Sequence, residues 1–171
     1  MAVYTTGVYP VQFRVDYPEQ PLARGSTFFR ILLAIPINIV EAALGGVSSL
    51  VAFPVLLMIL FQQKYPRWWF DWNLALLQFM NRVLVYTLLM RDEYPSTEDE
   101  QAVHLEIAYP DAKAGLNRFM PLFKFWLLAI PHYVVLMFLW VAVLFVTIFA
   151  WFTILFTGRY PKGAFEFVEG T

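Results

Sequence analysis

Two stretches of about thirty residues, Ile31–Phe61 and Phe125–Phe156, contain one acidic residue, Glu41, and neither Lys nor Arg. A membrane-crossing helix needs about 20 apolar residues, so each stretch exceeds one ordinary span. As a helix, each would run roughly 47 Å at 1.5 Å per residue. Hydrophobic residues make up 60% of the 171 and charged residues 15%, against about 45–50% and about 25% in ordinary globular chains. Aromatics reach 19%, with 17 Phe, which suits a surface lying against lipid. The net charge of −1 supplies no basic field for nucleic acid. The lack of cysteine excludes disulfides, thiolate metal sites, iron–sulfur clusters and a cysteine nucleophile. The first twenty residues have neither a basic region nor an apolar core, so they do not read as a cleaved signal peptide.

The two stretches are copies. An offset of 92 pairs VQFRVDYP (11–18) with VHLEIAYP (103–110), and an offset of 95 pairs ILLAIP (31–36) with WLLAIP (126–131). The second offset also pairs ILFQQKYP (59–66) with ILFTGRYP (154–161). Agreement at both ends of so long a segment marks an internal duplication, with unit 1 at 1–95 and unit 2 at 96–171. Each unit begins with an alternating segment ending in Tyr-Pro, which predicts strands over 11–17 and 103–109. A membrane helix follows, over 31–61 and 125–156. In unit 1 a polar stripe of Asp71, Ala75, Gln78, Arg82 and Tyr86 predicts an amphipathic helix over 68–90. Phe165, Glu166 and Phe167 match Phe70, Asp71 and Trp72, yet unit 2 breaks off there, so its copy of this helix is expected to be missing.

The excess length of the apolar stretches has two solutions. Either each helix is continuous and bends at Pro36 or Pro131, or each is a re-entrant hairpin. Gly45, Gly46, Ser48 and Ser49 sit where a hairpin would turn in unit 1, but LWVAVLFV (139–146) in unit 2 offers no turn residue. That asymmetry favours kinked helices and makes Gly45, Gly46 and Ser49 a small-residue packing surface. Arg82 is costly at bilayer depth, while Trp68, Trp69 and Trp72 suit an interface, so the 68–90 helix is expected to lie there. Lys and Arg cap both ends of the apolar stretches and leave orientation open, with a small excess of cations at 14–30 and 91–124 pointing that side toward the cytoplasm.

Candidate chemistry is sparse. Glu41 is an intramembrane carboxylate, a group that marks ion or proton passage or else pairs near the interface. Leu136 takes its place in unit 2. His132 offers an imidazole for haem or a chlorophyll-type magnesium, or a hydrogen bond at a helix end. Arg30 and Lys124 suit lipid headgroups or snorkelling anchors. His104, beside Glu106, reads as part of a solvated charged segment with Asp92, Glu93, Glu98, Asp99 and Glu100. There is no HExxH, nucleophile elbow or phosphate loop.

Tyr17-Pro18, Leu33–Pro36, Lys64–Pro66, Arg82, Tyr86 and Tyr94-Pro95 in unit 1, with Tyr109-Pro110, Leu128–His132 and Thr157–Pro161 in unit 2, carry a family likeness. The chain resembles the uncharacterised bacterial membrane family catalogued as domain of unknown function 4389. Unit 1 departs from the pattern with Ile37 after LAIP and Gln62-Gln63 for Thr-Gly. The resemblance implies a bacterial integral membrane protein and brings no known reaction.

The expected architecture is mainly α, integral to the membrane, with two duplicated units of strand and Pro-kinked transmembrane helix. The expected role is a non-catalytic accessory or scaffold subunit in the bacterial inner membrane. Its expected partners are membrane lipids and other membrane subunits; the sequence requires no cofactor and leaves open whether lipid or pigment is bound. A small oligomeric lipid or ion transporter, with Glu41 or His132 on the pathway, is the alternative.

Overall fold

The computed structural model describes residues 11–62, 65–97, 99, 101–109 and 120–171. Strand β1 (Val11–Val15) and a short helix α1 (Arg24–Phe28) lead into α2 (Arg30–Gln62, 33 residues) and α3 (Arg67–Thr87). Strand β2 (Val103–Ile107) precedes α4 (Met120–Thr157, 38 residues) and α5 (Lys162–Glu169). Both strands stop two residues short of the expected span, before Tyr-Pro. Each proline would leave the ladder without a donor.

Both long helices run straight through the sites where a hairpin would turn. Pro36 and Pro54 lie inside α2 and Pro131 inside α4. The re-entrant reading is therefore corrected. Gly45, Gly46, Ser48 and Ser49 stay helical, because a continuous helix satisfies its backbone groups internally. Ser49 Oγ donates to the Gly45 carbonyl at 2.9 Å. A Cβ built on Gly45 or Gly46 would meet nothing within 4 Å. Among the described residues, then, these glycines make no close contact, and Ser48 supplies it by accepting from Trp72 Nε1 at 2.9 Å.

Helix α3 turns back along α2, bringing Phe79 and Val83 onto Ile37. It ends three residues earlier than the polar stripe suggested. Leu89 adopts φ 66°, its N–H reaches the Tyr86 carbonyl at 3.2 Å, and Met90 N–H reaches that of Val85 at 3.1 Å. This is a Schellman closure with leucine where glycine is usual. Burial of the Leu89 side chain, 3% exposed, offsets the strain.

The expectation that unit 2 lacks a counterpart of α3 is also corrected, because α5 forms its first two turns. Both helices start behind proline in the same backbone conformation, Pro66 at φ −63°, ψ 131° and Pro161 at φ −63°, ψ 127°. A proline there has no amide to leave unpaired, and its φ is already set.

The duplication explains how the units join. The strands pair antiparallel with Phe13 opposite Leu105, Val11 opposite Ile107 and Val15 opposite Val103. Since 13 + 92 = 105, the central pair joins equivalent residues, and the flanking pairs exchange under the same offset. A two-fold axis through the sheet produces this pattern. The Tyr-Pro ends then cross over. Tyr17 of unit 1 donates to the Tyr160 carbonyl of unit 2 at 2.5 Å, and Tyr109 of unit 2 donates to the Tyr65 carbonyl of unit 1 at 2.5 Å.

Tyr17 meets Phe165 edge-on with centroids 5.0 Å apart, and Tyr109 meets Phe70 edge-on at 5.1 Å. Lys162 lies 5.5 Å over the Tyr17 ring, and Arg67 lies 4.9 Å over that of Tyr109. Each strand end is thus clamped onto the other unit's helix start by a hydrogen bond, an edge contact and a cation. Burial pushes the Tyr160 hydroxyl up to about 12. Burial, with Tyr109 beside it, raises the Tyr65 hydroxyl as well.

At the far end of α4, Gly158 adopts φ 74°. Its carbonyl accepts from Leu22 N–H at 2.8 Å and its N–H donates to Ile154 O at 2.7 Å. A side chain there is strained by backbone rather than crowding, because the nearest atom to an added Cβ is 3.6 Å away. Gly158→Ala is expected to destabilise the protein by about 1–2 kcal/mol, read from unfolding in detergent. Its counterpart Gln63 lies outside the described residues.

Candidate functional site

The ends of α1, α3 and α4 and the start of α2 meet around one buried cation. Arg30 is 2% exposed, although the next three residues of the apolar helix it opens, Ile31, Leu32 and Leu33, face outward. Its Nη2 pairs with Asp92 Oδ1, and its guanidinium lies 4.1 Å over the Tyr86 ring. Asp92 also accepts from Ala23 N–H at 2.6 Å and Ser26 Oγ at 3.4 Å, so one carboxylate ties α1 to the end of α3. Arg30 Nε and Nη1 are buried and find no partner among the described residues.

Two expectations are corrected here. Arg30 is not a headgroup anchor on the surface, because its charge is spent inward on Asp92 and Tyr86. Asp92 is a half-buried carboxylate engaged by Arg30, Ala23 and Ser26 rather than a free one. No local signal joins residues 62 positions apart. The Lys124 side chain lies outside the described residues.

Beside Arg30 lies a cavity of about 420 Å³ lined by Ile31, Leu144, Thr147, Ile148, Trp151 and Phe152, among others. Thr147 Oγ1 is likewise buried without a partner among the described residues. Trp151 Nε1 donates to the Thr27 carbonyl at 3.2 Å, closing one wall against α1.

Part of the polar stripe of α3 faces other protein groups, while Asp71 and Ala75 are exposed. Gln78 Nε2 donates to the Leu105 carbonyl at 3.0 Å and Arg82 Nη1 to the Ser96 carbonyl at 2.6 Å. Arg82 is thus bonded to the segment that follows α3. The tryptophans divide. Trp68 and Trp72 are exposed at 59% and 40%, whereas Trp69 is buried at 7% and serves packing rather than a headgroup layer. Glu41 is half-buried on α2 and His132 exposed on α4. Among the described residues, no three of His, Cys, Asp and Glu gather into a metal site.

At the sheet, Asp16 accepts from Arg14 Nη2 at 2.8 Å and lies 3.2 Å from His104 Nε2. The hydrogen bond from His104, aided by Arg14, holds the Asp16 carboxyl below its usual value. A carboxyl depressed by folding stabilises above the unfolded carboxylate range and loses that contribution as pH falls through its lowered value. Thermal stability is therefore expected to decline below about pH 4, and Asp16→Asn should make that decline shallower.

Residues 24–97 and 121–171 match the family described as domain of unknown function, DUF4389. The chain belongs to this family. The two matched segments are unit 1 from α1 to the residues after α3, and unit 2 from the start of α4 through α5. The family membership expected from the paired LLAIP and Tyr-Pro motifs is thus established. No curated protein and no solved structure matches the chain.

Proposed function

We propose that the protein is a non-catalytic, multi-pass accessory subunit of a bacterial inner-membrane complex, held in the bilayer by α2 and α4. In this reading the open face of α4 docks a helix of a partner subunit. Two windows, Arg30–Val55 and Ile130–Thr157, are long and apolar enough to cross a membrane, and only 11% of each is buried within the chain. Several polar side chains on these helices bond to their own backbone. Asn38 donates to Ala34 O, Ser49 to Gly45 O and Thr153 to Phe149 O. Apolar surroundings demand such internal satisfaction. Helices of 33 and 38 residues exceed the roughly 30 Å hydrocarbon layer, and bends at Pro36, Pro54 and Pro131 would absorb the excess.

One observation carries the partner. In unit 1, Ile37 is 8% exposed beneath Phe79 and Val83 of α3. Its equivalent is His132, because 37 + 95 = 132, and His132 is exposed. The part of that face around His132 is therefore open on α4 among the described residues, whereas Val143, the equivalent of Ser48 beneath Trp72, is buried at 4%. A partner helix with the chemistry of α3, apolar and carrying an occasional polar group for His132, fits that face.

Purification from the native membrane in mild detergent tests the reading. It predicts one or more other chains in stoichiometric amount, identified by mass spectrometry. A partner-free oligomer would sink it.

A further inference from the structure

We propose that the groove between α3 and α4, where α5 stops, seats one amphipathic helix of a partner subunit, which carries a side-chain amide for the Phe13 carbonyl. The seat deepens the accessory-subunit reading and rests on it for the source of the helix. The internal two-fold names the kind of occupant, because in unit 1 the equivalent seat is filled by α3 itself.

The sheet shows what the seat asks for. Gln78 of α3 donates to the Leu105 carbonyl at 3.0 Å, and Leu105 is 7% exposed. Hydrogen bonds alternate along an antiparallel ladder. Asp16 N–H reaches the Ala102 carbonyl, so the Phe13–Leu105 pair turns its backbone groups outward, to the two edges of the sheet. On the β1 edge, Glu169 at the end of α5 accepts from Val15 N–H at 2.9 Å. The Phe13 carbonyl lies on the same edge, and Phe13 is 38% exposed. Helix α5 ends at Glu169, the equivalent of Leu74, before the place that Gln78 holds in α3.

The helices show the same relation. Trp72 Nε1 donates to Ser48 in unit 1, and the equivalents of these two residues are Phe167 and Val143. Donor and acceptor change together to an apolar pair, so α5 starts on α4 as α3 starts on α2. Farther along, Phe79 and Val83 cover Ile37, whereas His132 is exposed. Between the end of α5 and the flank of α3 lies a cavity of about 370 Å³ lined by Phe13, Leu84, Leu88, Leu136, Trp140 and Gly170, among others. Leu136 stands where unit 1 has Glu41, so the floor of this seat is the more apolar of the two.

The occupant is therefore a helix with Leu, Phe, Met or Val along one stripe and Gln or Asn where α3 has Gln78. An apolar stripe alone would bury the Phe13 carbonyl without a donor, which is costly. The amide removes that cost, as Gln78 does at Leu105.

A synthetic peptide of the α3 sequence, Arg67–Thr87, added in detergent to the full chain purified free of other proteins, tests the seat. With a benzophenone residue in place of Phe79, irradiation should give an adduct on α4 around His132. Leu136→Trp fills the groove and should weaken peptide binding, read by fluorescence anisotropy, by roughly tenfold or more. A peptide carrying Gln78→Leu keeps the apolar stripe but loses the donor, and it should bind about fivefold more weakly, the net worth of one hydrogen bond. That comparison stands even if Leu136→Trp fails to fold. Adducts on α2 around Ile37 would show exchange with the chain's own α3 and overturn the seat, as would an absence of binding. Chain dimers that the peptide breaks up would make a second copy the occupant and overturn the partner. A chain that copurifies with other subunits from its membrane yet ignores the peptide overturns the seat while leaving the accessory role standing.

Discussion

Replacing Asp92 by alanine is expected to destabilise the protein by about 3 kcal/mol, the lower end of what removing one partner of a buried ion pair costs. Asp92 retains 29% side-chain exposure whereas Arg30 retains 2%, so the loss falls on the arginine. It would be left buried with a third unpaired nitrogen and no counter-charge, and α1 would lose both bonds that fix it to the end of α3. Urea unfolding in detergent measures the effect. The double variant Arg30→Met with Asp92→Leu should recover much of the loss, because an apolar pair carries no desolvation penalty. A cost below about 1 kcal/mol for Asp92→Ala would mean the pair behaves as a surface salt bridge. The burial of Arg30 would then be misassigned.

Phe165→Ala should cost about 3–5 kcal/mol, as deletion of a buried aromatic ring does. Phe165 is 2% exposed and is the ring onto which Tyr17 crosses from the other unit. Phe70, its equivalent, is 9% exposed and receives Tyr109, so Phe70→Ala should cost nearly as much. Tyr17→Phe and Tyr109→Phe remove only a hydroxyl donor each and should cost about 1 kcal/mol apiece. These comparisons use unfolding midpoints in one detergent. A large loss at Phe165 with none at Phe70 would contradict the reciprocal clamp and leave the likeness of the two joints without energetic meaning.

The duplication makes much of this fold legible before any coordinates. Offsets of 92 and 95 give two strands, two long apolar helices and a proline before each following helix. All of these form within a few residues of the expected bounds. Alternation in the strands shows which residues share a face. It does not show that the strands pair with each other, nor that each Tyr-Pro end crosses to the opposite unit. That choice is tertiary, set by Phe70 and Phe165 waiting at the helix starts.

The end of α3 was hidden for a different reason. A left-handed leucine at 89 carries no glycine or asparagine signal, and the apolar pattern runs on past it. The candidate site was the least legible part. Arg30 looks like any cation flanking a membrane helix, and Asp92 like one acid among several. Only the folded chain brings them together. His132 and Glu41 stood out by composition, but they do not share a site with Arg30. His132 matters through what its repeat equivalent does, since α3 covers Ile37 and nothing among the described residues covers His132.

The open face of α4 is tested most directly by placing a photoreactive amino acid at position 132 in the native host and irradiating intact membranes. Leu50 on α2, 79% exposed, serves as the control position. The account predicts a discrete adduct between position 132 and another protein chain, with only lipid adducts at position 50. Lipid adducts alone at both positions would show that the bilayer, rather than a partner helix, covers this face, and would contradict the accessory-subunit reading.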